Sequence, residues 1–166
     1  MTNTIEIVAT GRPWVGSGVG LIDTALNRLF AEAKDEILIT AYSVTYAEEL
    51  IIPLLRGALE RGVRVCITVN KLDEQPTSLR APLLRLRNEF PFFDIRSYEG
   101  EPASDLHAKL IVIDRRVAIV GSSNLTRRAM KDNIEIALLV RGPAANDVAR
   151  LFDRLQAAQD TRRVPP

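Results

Sequence analysis

The segment LHAKLIVIDRRVAIVGSSN, residues 106–124, decides how this sequence is interpreted. The alternation from Leu106 to Ile113 predicts a strand that projects His107 and Lys109 from one face of a sheet. Residues 114–116 (Asp-Arg-Arg) predict a tight polar turn, after which residues 117–120 return as a second strand. Gly121 follows at once, and a glycine there is predicted to let the backbone approach a ligand closely. A histidine and a lysine are therefore expected side by side on a strand pair.

Outward from this segment, apolar runs of strand length alternate with segments of helical period, which predicts an α/β layered fold. The predicted strands are 4–9, 36–42, 63–69, 92–97, 106–113, 117–120 and 134–140, and the third of them is expected at the centre of the sheet. The predicted helices are 21–34, 47–58, 78–90, 126–131 and 145–158. In the second helix, Thr45 and Glu48 have capping-box spacing, and Pro53 should introduce a kink. A chain of 166 residues fits one domain, expected over residues 1–160, with a frayed tail over 161–166.

Composition narrows the class of protein. Apolar residues make up 46% and charged residues 26% of the chain, which is typical of a folded globular protein, and the net charge of +1 neither favours nor excludes nucleic acid. The sequence has no apolar run of membrane-spanning length and no secretory signal pattern at its start, so a cytoplasmic location and no membrane partner are expected. The glycines of residues 11–20 match neither of the nucleotide-binding patterns Gly-x-x-x-x-Gly-Lys-Ser/Thr and Gly-x-Gly-x-x-Gly, so a flexible connector is favoured there. Cys66 lies in an apolar run, which favours a buried thiol over a catalytic one.

The strongest signal is a set of residue types at fixed spacing, His107-x-Lys109-x4-Asp114-x6-Gly121-Ser122-x-Asn124. This set resembles the full HKD signature of the phospholipase D superfamily, and a chain with one such motif is similar to the bacterial endonuclease-like members. Glu135 falls where nuclease-like members carry an acidic residue that orients the catalytic imidazole. Residues 54–65 are similar to the helix-to-strand stretch that precedes the motif in this superfamily. The resemblance implies a three-layer α-β-α phospholipase D-like domain with a mixed, mostly parallel central sheet.

The chemistry of phosphodiester hydrolysis explains these residue types. Covalent hydrolysis needs a nucleophile, an acid for the leaving group and positive charge around the phosphoryl oxygens. The resemblance implies that one histidine attacks phosphorus to give a phosphohistidine while a second protonates the departing oxygen. The chain has one histidine, so the second is expected from another subunit. A two-fold dimer with the motif at its axis would bring two copies of His107 around one phosphate.

The remaining motif residues have expected roles in such a site. Lys109 is expected to bind phosphate as a point charge, and Asn124 and Ser122 to donate hydrogen bonds to phosphoryl oxygens. Glu135 is expected to accept from an imidazole nitrogen, while Asp114 and Gly121 support the motif structurally. Singly, His107 could be a core histidine, Lys109 and Glu135 a solvated ion pair, and Asn124 a helix cap. Together, in otherwise apolar strands, they favour an active site that needs no metal and no cofactor.

The substrate is less constrained than the chemistry. Cations follow the motif, and they favour nucleic acid over a solvated surface: Arg115, Arg116, Arg127, Arg128 and Lys131, with further arginines on the helix near residues 80–87. The first hypothesis is a DNA endonuclease of low sequence specificity, in a bacterial DNA-processing or phage-defence system with a helicase or another defence subunit as partner. One alternative is a phospholipase D or phosphatidyl transferase, and another is a noncatalytic nucleic-acid-binding subunit of a larger complex.

Overall fold

A computed structural model describes residues 2–44, 47–101 and 104–165, without the side chains of residues 47 and 48. Its strands are β1 (Thr4–Thr10), β2 (Gly20–Leu21), β3 (Glu36–Ala41), β4 (Arg64–Asn70), β5 (Phe93–Tyr98), β6 (Leu110–Ile113), β7 (Val117–Gly121), β8 (Glu135–Arg141) and β9 (Thr161–Arg163). Its α-helices are α1 (Ile22–Glu32), α2 (Ile52–Glu60), α3 (Thr77–Glu89), α4 (Arg127–Lys131) and α5 (Pro143–Ala157). Short 3₁₀ turns cover Arg12–Trp14 and Leu72–Glu74. None of the described helices is long and apolar enough to cross a membrane.

The described strands form one mixed sheet in the order β2-β1-β8-β7-β6-β3-β4-β5-β9. The α/β class is confirmed, but the expectation of a mostly parallel sheet is wrong. Of the pairings between described strands, only β1 with β2, β3 with β4 and β4 with β5 are parallel; the other five are antiparallel. The physical reason is the short connection between β6 and β7, because a tight turn can join antiparallel strands only. The centre of the sheet is β6 and not β4, since β6 to β8 insert between β1 and β3.

Helices lie on both faces of the sheet, and the alternation along each strand divides the core between them. On one face, α1, α2 and α3 pack Phe30, Leu55 and Leu83 against the sheet. On the other face, the described helix that covers the sheet is α5, which packs Ala145, Ala149 and Phe152 against Leu38, Val112 and Ala118. The three layers of the fold are therefore helices, sheet and helix.

The helix predicted around Pro53 has two parts. Residues Ala47–Ile51 form a π-helical turn, and α2 begins at Ile52 with Pro53 in its first turn. A proline is tolerated there because its missing N–H would have no partner inside the helix. Close to the predicted kink at Pro53, the helix thus changes from π to α. The predicted capping box lies outside the described residues, because Thr45 and the side chain of Glu48 are not among them.

The chain end differs from the predicted frayed tail. Residues Thr161–Arg163 form β9, which pairs antiparallel with β5, and the N–H of Val164 donates to the Ile95 carbonyl at 3.0 Å. Arg163 also bonds Asp94 at 2.7 Å. The prediction was wrong for these residues because a short polar run carries no strand periodicity of its own. It becomes ordered by covering the edge that β5 would otherwise expose.

On the α5 side, one part of the sheet is left uncovered by the residues that the structure describes. Leu138 pairs with Ile7 on one side and with Val120 on the other. Two positions along the strands lies the row Ile5, Val140 and Ala118, of which Ala118 belongs to the core under α5. Five apolar side chains here are between 39% and 64% exposed, and together they are named the apolar face: Ile5, Ile7, Val120, Ile136 and Leu138. The apolar face adjoins Gly121 and Glu135 in sequence, so it reaches the end of the strands at which β6 begins and β7 ends. This end of the sheet carries the motif and is named the motif edge.

Candidate active site

His107 lies in an extended segment before β6 and not in the strand itself. The predicted strand 106–113 is longer than β6, which begins at Leu110. The difference arises because Thr40, near the end of β3, bonds this segment through its side chain. The Thr40 hydroxyl donates to the Ala108 carbonyl at 2.7 Å and accepts from the Leu110 N–H at 3.1 Å. The backbone on the C-terminal side of His107 is thereby fixed without a regular strand ladder.

On the N-terminal side of His107, Asn70 has the corresponding role. Its amide oxygen accepts from the Leu106 N–H at 2.8 Å, and its amide nitrogen donates to Asp105 at 3.2 Å. Lys71 pairs with the same carboxylate at 2.9 Å, and the hydrogen bonds from Lys71 and Asn70 lower the pKa of Asp105. Thr40 and Asn70 are both buried, so His107 is held between two buried polar side chains. Sequence reasoning missed both, although polar residues that end neighbouring parallel strands of apolar composition are a readable signal.

The imidazole of His107 is exposed at the motif edge, just before β6 begins. Its ring lies against the Tyr42 ring, with the centroids 4.7 Å apart and the planes at 67°. The imidazole nitrogens make no hydrogen bond to any residue that the structure describes. The alternative of a core histidine is therefore wrong, because the side chain is open to solvent and to a ligand.

Lys109 lies beside His107, as the residue spacing predicts. Its ammonium donates to the His107 carbonyl at 2.7 Å and lies 5.5 Å from the centre of the Tyr42 ring. Partial burial lowers the pKa of Lys109, while the charge of Glu135 opposes that shift. Glu135 therefore acts on Lys109 electrostatically, and no ion-pair contact joins these two residues in the described structure. The ammonium remains available to an anion at the same edge.

Glu135, the first residue of β8, has hydroxyl and amide partners. The Ser122 hydroxyl donates to one carboxylate oxygen, and the Asn133 amide donates to the other at 3.2 Å. The Ser122 hydroxyl also accepts from the Ile136 N–H at 3.3 Å. The predicted imidazole partner of Glu135 is not among these contacts. Asn133 was missed by the sequence reasoning, because its only signal is its position two residues before Glu135.

Asn124 lines a small, mostly apolar pocket of about 30 Å³ together with Lys109, Gly121 and Ser123. Its amide oxygen is buried and has no hydrogen-bond partner in the described part of the chain. The helix cap of α4 is Thr126, whose hydroxyl accepts from the Ala129 N–H at 3.1 Å. The alternative of Asn124 as the cap is therefore wrong. Its amide is held next to Lys109 by the loop after β7 and is left without a structural bond.

Gly121 is required by a neighbouring strand. A Cβ atom built on Gly121 would lie 2.5 Å from the Cβ of Ala137 and 2.6 Å from the Ile136 carbonyl, both on β8. The prediction that this glycine admits a ligand is corrected, because the close neighbour is backbone of the same sheet. The absence of a side chain lets β7 and β8 stay paired up to the motif.

Asp114 lies at the opposite end of β6 from His107. Its carboxylate accepts three backbone N–H bonds, from Lys34 at 3.0 Å, Asp35 at 2.8 Å and Glu36 at 2.9 Å. The loop between the paired residues Ile113 and Val117 has three residues, and the Arg116 N–H donates to the Ile113 carbonyl at 3.0 Å. Asp114 and Arg115 are the central residues of this β-turn, and both have positive φ, of 52° and 54°. These contacts join the β6–β7 turn to the start of β3, which is a structural function.

The predicted cations do not lie together. Arg115 donates hydrogen bonds to Asp153 and Glu36, and these bonds raise its pKa. Arg115 and Arg116 both belong to the β6–β7 turn, at the end of the strands opposite the motif edge. The expectation that this turn is near the motif is wrong, because a hairpin turn lies at the far end of its strands. Lys131 pairs with Asp23 at 2.9 Å. Arg127 and Arg128 are exposed on α4, which begins three residues after Asn124.

Cys66 and the acidic residues suggest no second site. Burial raises the pKa of the Cys66 thiol to about 12, so the thiol is neutral and a poor nucleophile. Within the described residues, no group of three or more histidine, cysteine, aspartate and glutamate side chains is arranged to hold a metal ion. The chemistry-bearing groups that the structure brings to one edge are His107, Lys109, Ser122, Asn124 and Glu135.

Comparison with known proteins identifies the class to which this fold and this edge belong. Residues 26–156 match the family described as "Cardiolipin synthase, PLD-like domain". The crystal structure of a phospholipase D family member, Nuc from Salmonella typhimurium, superposes with a TM-score of 0.78 at 21% identity, covering 99% of this chain and 100% of that one. The chain therefore belongs to the phospholipase D superfamily through its PLD-like domain, and the superposition shows that it shares the fold of Nuc.

Two sequence relatives show how the chain compares in length. It is 35% identical to the DISARM protein DrmC of Bacillus paralicheniformis over 143 residues, which are 84% of this chain and 58% of DrmC. It is 28% identical to cardiolipin synthase A of Serratia proteamaculans over 138 residues, 83% of this chain and 27% of that protein. The chain thus spans between about a quarter and three fifths of the length of these relatives.

Proposed function

We propose that the protein is a metal-independent DNA endonuclease of low sequence specificity that acts through a phosphohistidine in a homodimeric active site. The observation that carries the proposal is the arrangement of His107. The one histidine of the chain is exposed, without a hydrogen bond from its ring to any described residue, and it lies beside Lys109, on which the charge of Glu135 acts. A charged edge of this kind suits a phosphodiester, and its single imidazole requires a second one for the leaving group.

In the proposed reaction, a nitrogen of the His107 imidazole attacks phosphorus and forms an N–P bond, while the bond from phosphorus to one ester oxygen breaks. His107 of the partner subunit donates a proton to that oxygen, which leaves as a hydroxyl. The same imidazole then takes a proton from water, and the water oxygen attacks phosphorus. The N–P bond breaks and the phosphate monoester leaves, so both imidazoles return to their starting states.

The other side chains at the edge stabilise charge or fix geometry in this proposal. Lys109 and the amide of Asn124 bind phosphoryl oxygens, whose charge grows in the transition state. Glu135 fixes Ser122 through its hydrogen bond, and it accepts from an imidazole when the two subunits meet. Asp114 and Gly121 hold the strands that present these groups.

The apolar face supports the dimer. Monomeric proteins rarely expose a contiguous apolar patch of several large side chains without a binding role. The apolar face ends next to Glu135 and Gly121 in sequence, and the proposed dimer has its two-fold axis close to this end of the sheet, so that the two motifs meet there while the second copy packs on the apolar face. A second copy of the chain is thus the occupant that also supplies the second histidine.

Two features support DNA as the substrate. Arg127 and Arg128 are exposed beside Asn124, where they can contact phosphates that flank the cleaved bond. Aromatic residues make up 5% of the chain, so reading of bases by stacking is not a main mode and specificity should be low. The DISARM protein DrmC relative favours a bacterial defence system as the setting, with a helicase or another subunit as partner.

A second candidate is phosphatidyl transfer. It is favoured by the match to the family described as "Cardiolipin synthase, PLD-like domain" and by the cardiolipin synthase relatives. The same two-histidine chemistry serves this reaction when a lipid hydroxyl replaces water as the second nucleophile. The two candidates therefore differ in substrate and not in the catalytic residues.

The test compares wild type with His107→Asn on supercoiled plasmid and on phosphatidylglycerol vesicles, in the presence of EDTA. We expect nicking of the plasmid by wild type and a loss of about 1,000-fold or more in the variant, since the nucleophile and the acid are both removed. A labelled phosphate trapped on His107 would support the covalent step. Cleavage retained by His107→Asn contradicts the mechanism, and turnover of lipid alone selects the second candidate. Plasmid binding without cleavage by wild type indicates a noncatalytic subunit.

A further inference from the structure

We propose that Tyr42 is a positioning residue that holds the His107 imidazole and the Lys109 ammonium in their reactive arrangement. The inference rests on the proposed function, because it concerns how the nucleophile and the phosphate-binding cation are kept in place. Tyr42 follows directly on β3, next to the extended segment that carries His107. It belongs to none of the motif positions that point to phosphodiester chemistry.

The geometry gives Tyr42 contact with both side chains. The imidazole meets the phenol ring edge to face, at 4.7 Å and 67°, which is the arrangement that aromatic quadrupoles favour. The Lys109 ammonium lies 5.5 Å from the centre of the same ring, within the range of a cation–π interaction. One aromatic ring therefore contacts the nucleophile and the cation together.

A closed cycle of contacts results. The Tyr42 ring holds the His107 side chain, the His107 carbonyl accepts from the Lys109 ammonium at 2.7 Å, and Lys109 returns to the Tyr42 ring. The His107 ring has no hydrogen bond to a described residue, so its contact with the Tyr42 ring carries the proposed restraint on its rotation. Removal of the ring would leave the backbone clamps of Thr40 and Asn70 in place but free the imidazole.

The role predicts a particular response to substitution. Tyr42→Phe keeps the ring and should keep activity within about threefold of wild type, whereas Tyr42→Leu should lower kcat by about 10- to 100-fold because a misplaced nucleophile loses its attack geometry. KM should change by less than about threefold, since the Lys109 ammonium keeps its hydrogen bond to the His107 carbonyl and so stays in place to bind phosphate. Phe92→Leu is the matched control, because Phe92 is a half-exposed aromatic before β5, at the opposite end of the sheet.

A second readout does not depend on activity. The chain has one histidine, so a proton–carbon NMR spectrum of labelled imidazole shows one set of signals per subunit. The Tyr42 ring current should displace the His107 proton signals in wild type and in Tyr42→Phe. In Tyr42→Leu the displacement should vanish, while Phe92→Leu should leave it unchanged. Melting temperatures of all four proteins show that each is folded.

The outcomes separate this proposal from the proposed function. Loss of kcat and of the ring-current displacement in Tyr42→Leu, with both kept in Tyr42→Phe, supports the positioning role. Unchanged kcat in a folded Tyr42→Leu overturns it, and so does an equal loss in Tyr42→Phe, which would assign the effect to the hydroxyl. If wild type cleaves no phosphodiester, the proposed function fails, and the NMR comparison alone then decides whether Tyr42 holds the imidazole.

Discussion

Substitution of Asp114 by alanine separates a structural from a chemical role for the aspartate of the motif. The carboxylate accepts three backbone N–H bonds from residues 34–36, and hydrogen bonds to a charged acceptor contribute about 1.5–3 kcal/mol each when they are buried. Asp114 is half-buried, so water can replace part of these bonds, and a total of about 2–3 kcal/mol is the reasonable sum. The positive φ of 52° adds about 1 kcal/mol of strain for alanine.

The expected loss in the free energy of unfolding is therefore about 3–4 kcal/mol, which lowers Tm by roughly 6–16 °C in a protein of this size. Asp114→Asn is the matched control: asparagine tolerates the left-handed conformation and keeps one acceptor oxygen, so about half of the loss is expected. Calorimetry measures Tm, and phosphodiesterase assays well below Tm measure kcat. A change in Tm under about 2 °C would refute the hydrogen-bond reasoning, and a loss of kcat of about 100-fold in the folded variant would place Asp114 in the chemistry.

Three further predictions concern the dimer, the substrate and the cation. Leu138→Glu should convert the proposed dimer to monomers in analytical ultracentrifugation and abolish cleavage, because it places a charge in the middle of the apolar face. Phe92→Glu, at nearly the same exposure, should do neither. An active monomer would contradict the shared site. Combined Arg127→Ala and Arg128→Ala should weaken DNA binding and reduce the salt slope by about 2, whereas Arg116→Ala, at the opposite edge, should leave both unchanged in fluorescence titrations. Burial lowers the pKa of Lys109, so as the pH rises this lysine loses its charge at a lower pH than an ordinary lysine does. Arginine keeps its charge, so Lys109→Arg should extend activity to higher pH. A pH profile identical to that of wild type would contradict this.

The local elements of the fold could be predicted from the sequence because their signals are local. Amphipathic periods predict α1, α3 and α5 to within about two residues at most ends, and the polar residues at 114–116 predict the hairpin turn. The pairing of strands could not be predicted in the same way, since it joins segments far apart in the chain. The insertion of β6 to β8 between β1 and β3 leaves no trace in any one strand, and β9 has no apolar pattern to announce it.

The site shows the same division. The spacing from His107 to Asn124 predicts which side chains reach the edge of the sheet, but their surroundings depend on other strands. Thr40 and Asn70 act through side-chain bonds to the His107 segment, and Tyr42 acts through its ring, so none of the three belongs to the motif. The distance of Arg115 and Arg116 from the site, in contrast, could have been predicted from the sequence. A hairpin places its turn at the end of the strand away from His107, so the predicted hairpin already excludes Arg115 and Arg116 from the site.

The proposed two-fold dimer would account for two features of the single chain at once. An exposed imidazole at a phosphate-binding edge lacks the second proton donor that the chemistry requires, and an exposed apolar face of five large side chains lacks a cover. Taken alone, the first feature would also suit binding without catalysis, and the second would also suit a different protein partner. Their adjacency matters, because Val120 and Ile136 of the apolar face are neighbours of Gly121 and Glu135 at the edge. If the two-fold axis passes close to this end of the sheet, the copy that covers the apolar face also places its own His107 near the first, and one association event then completes both.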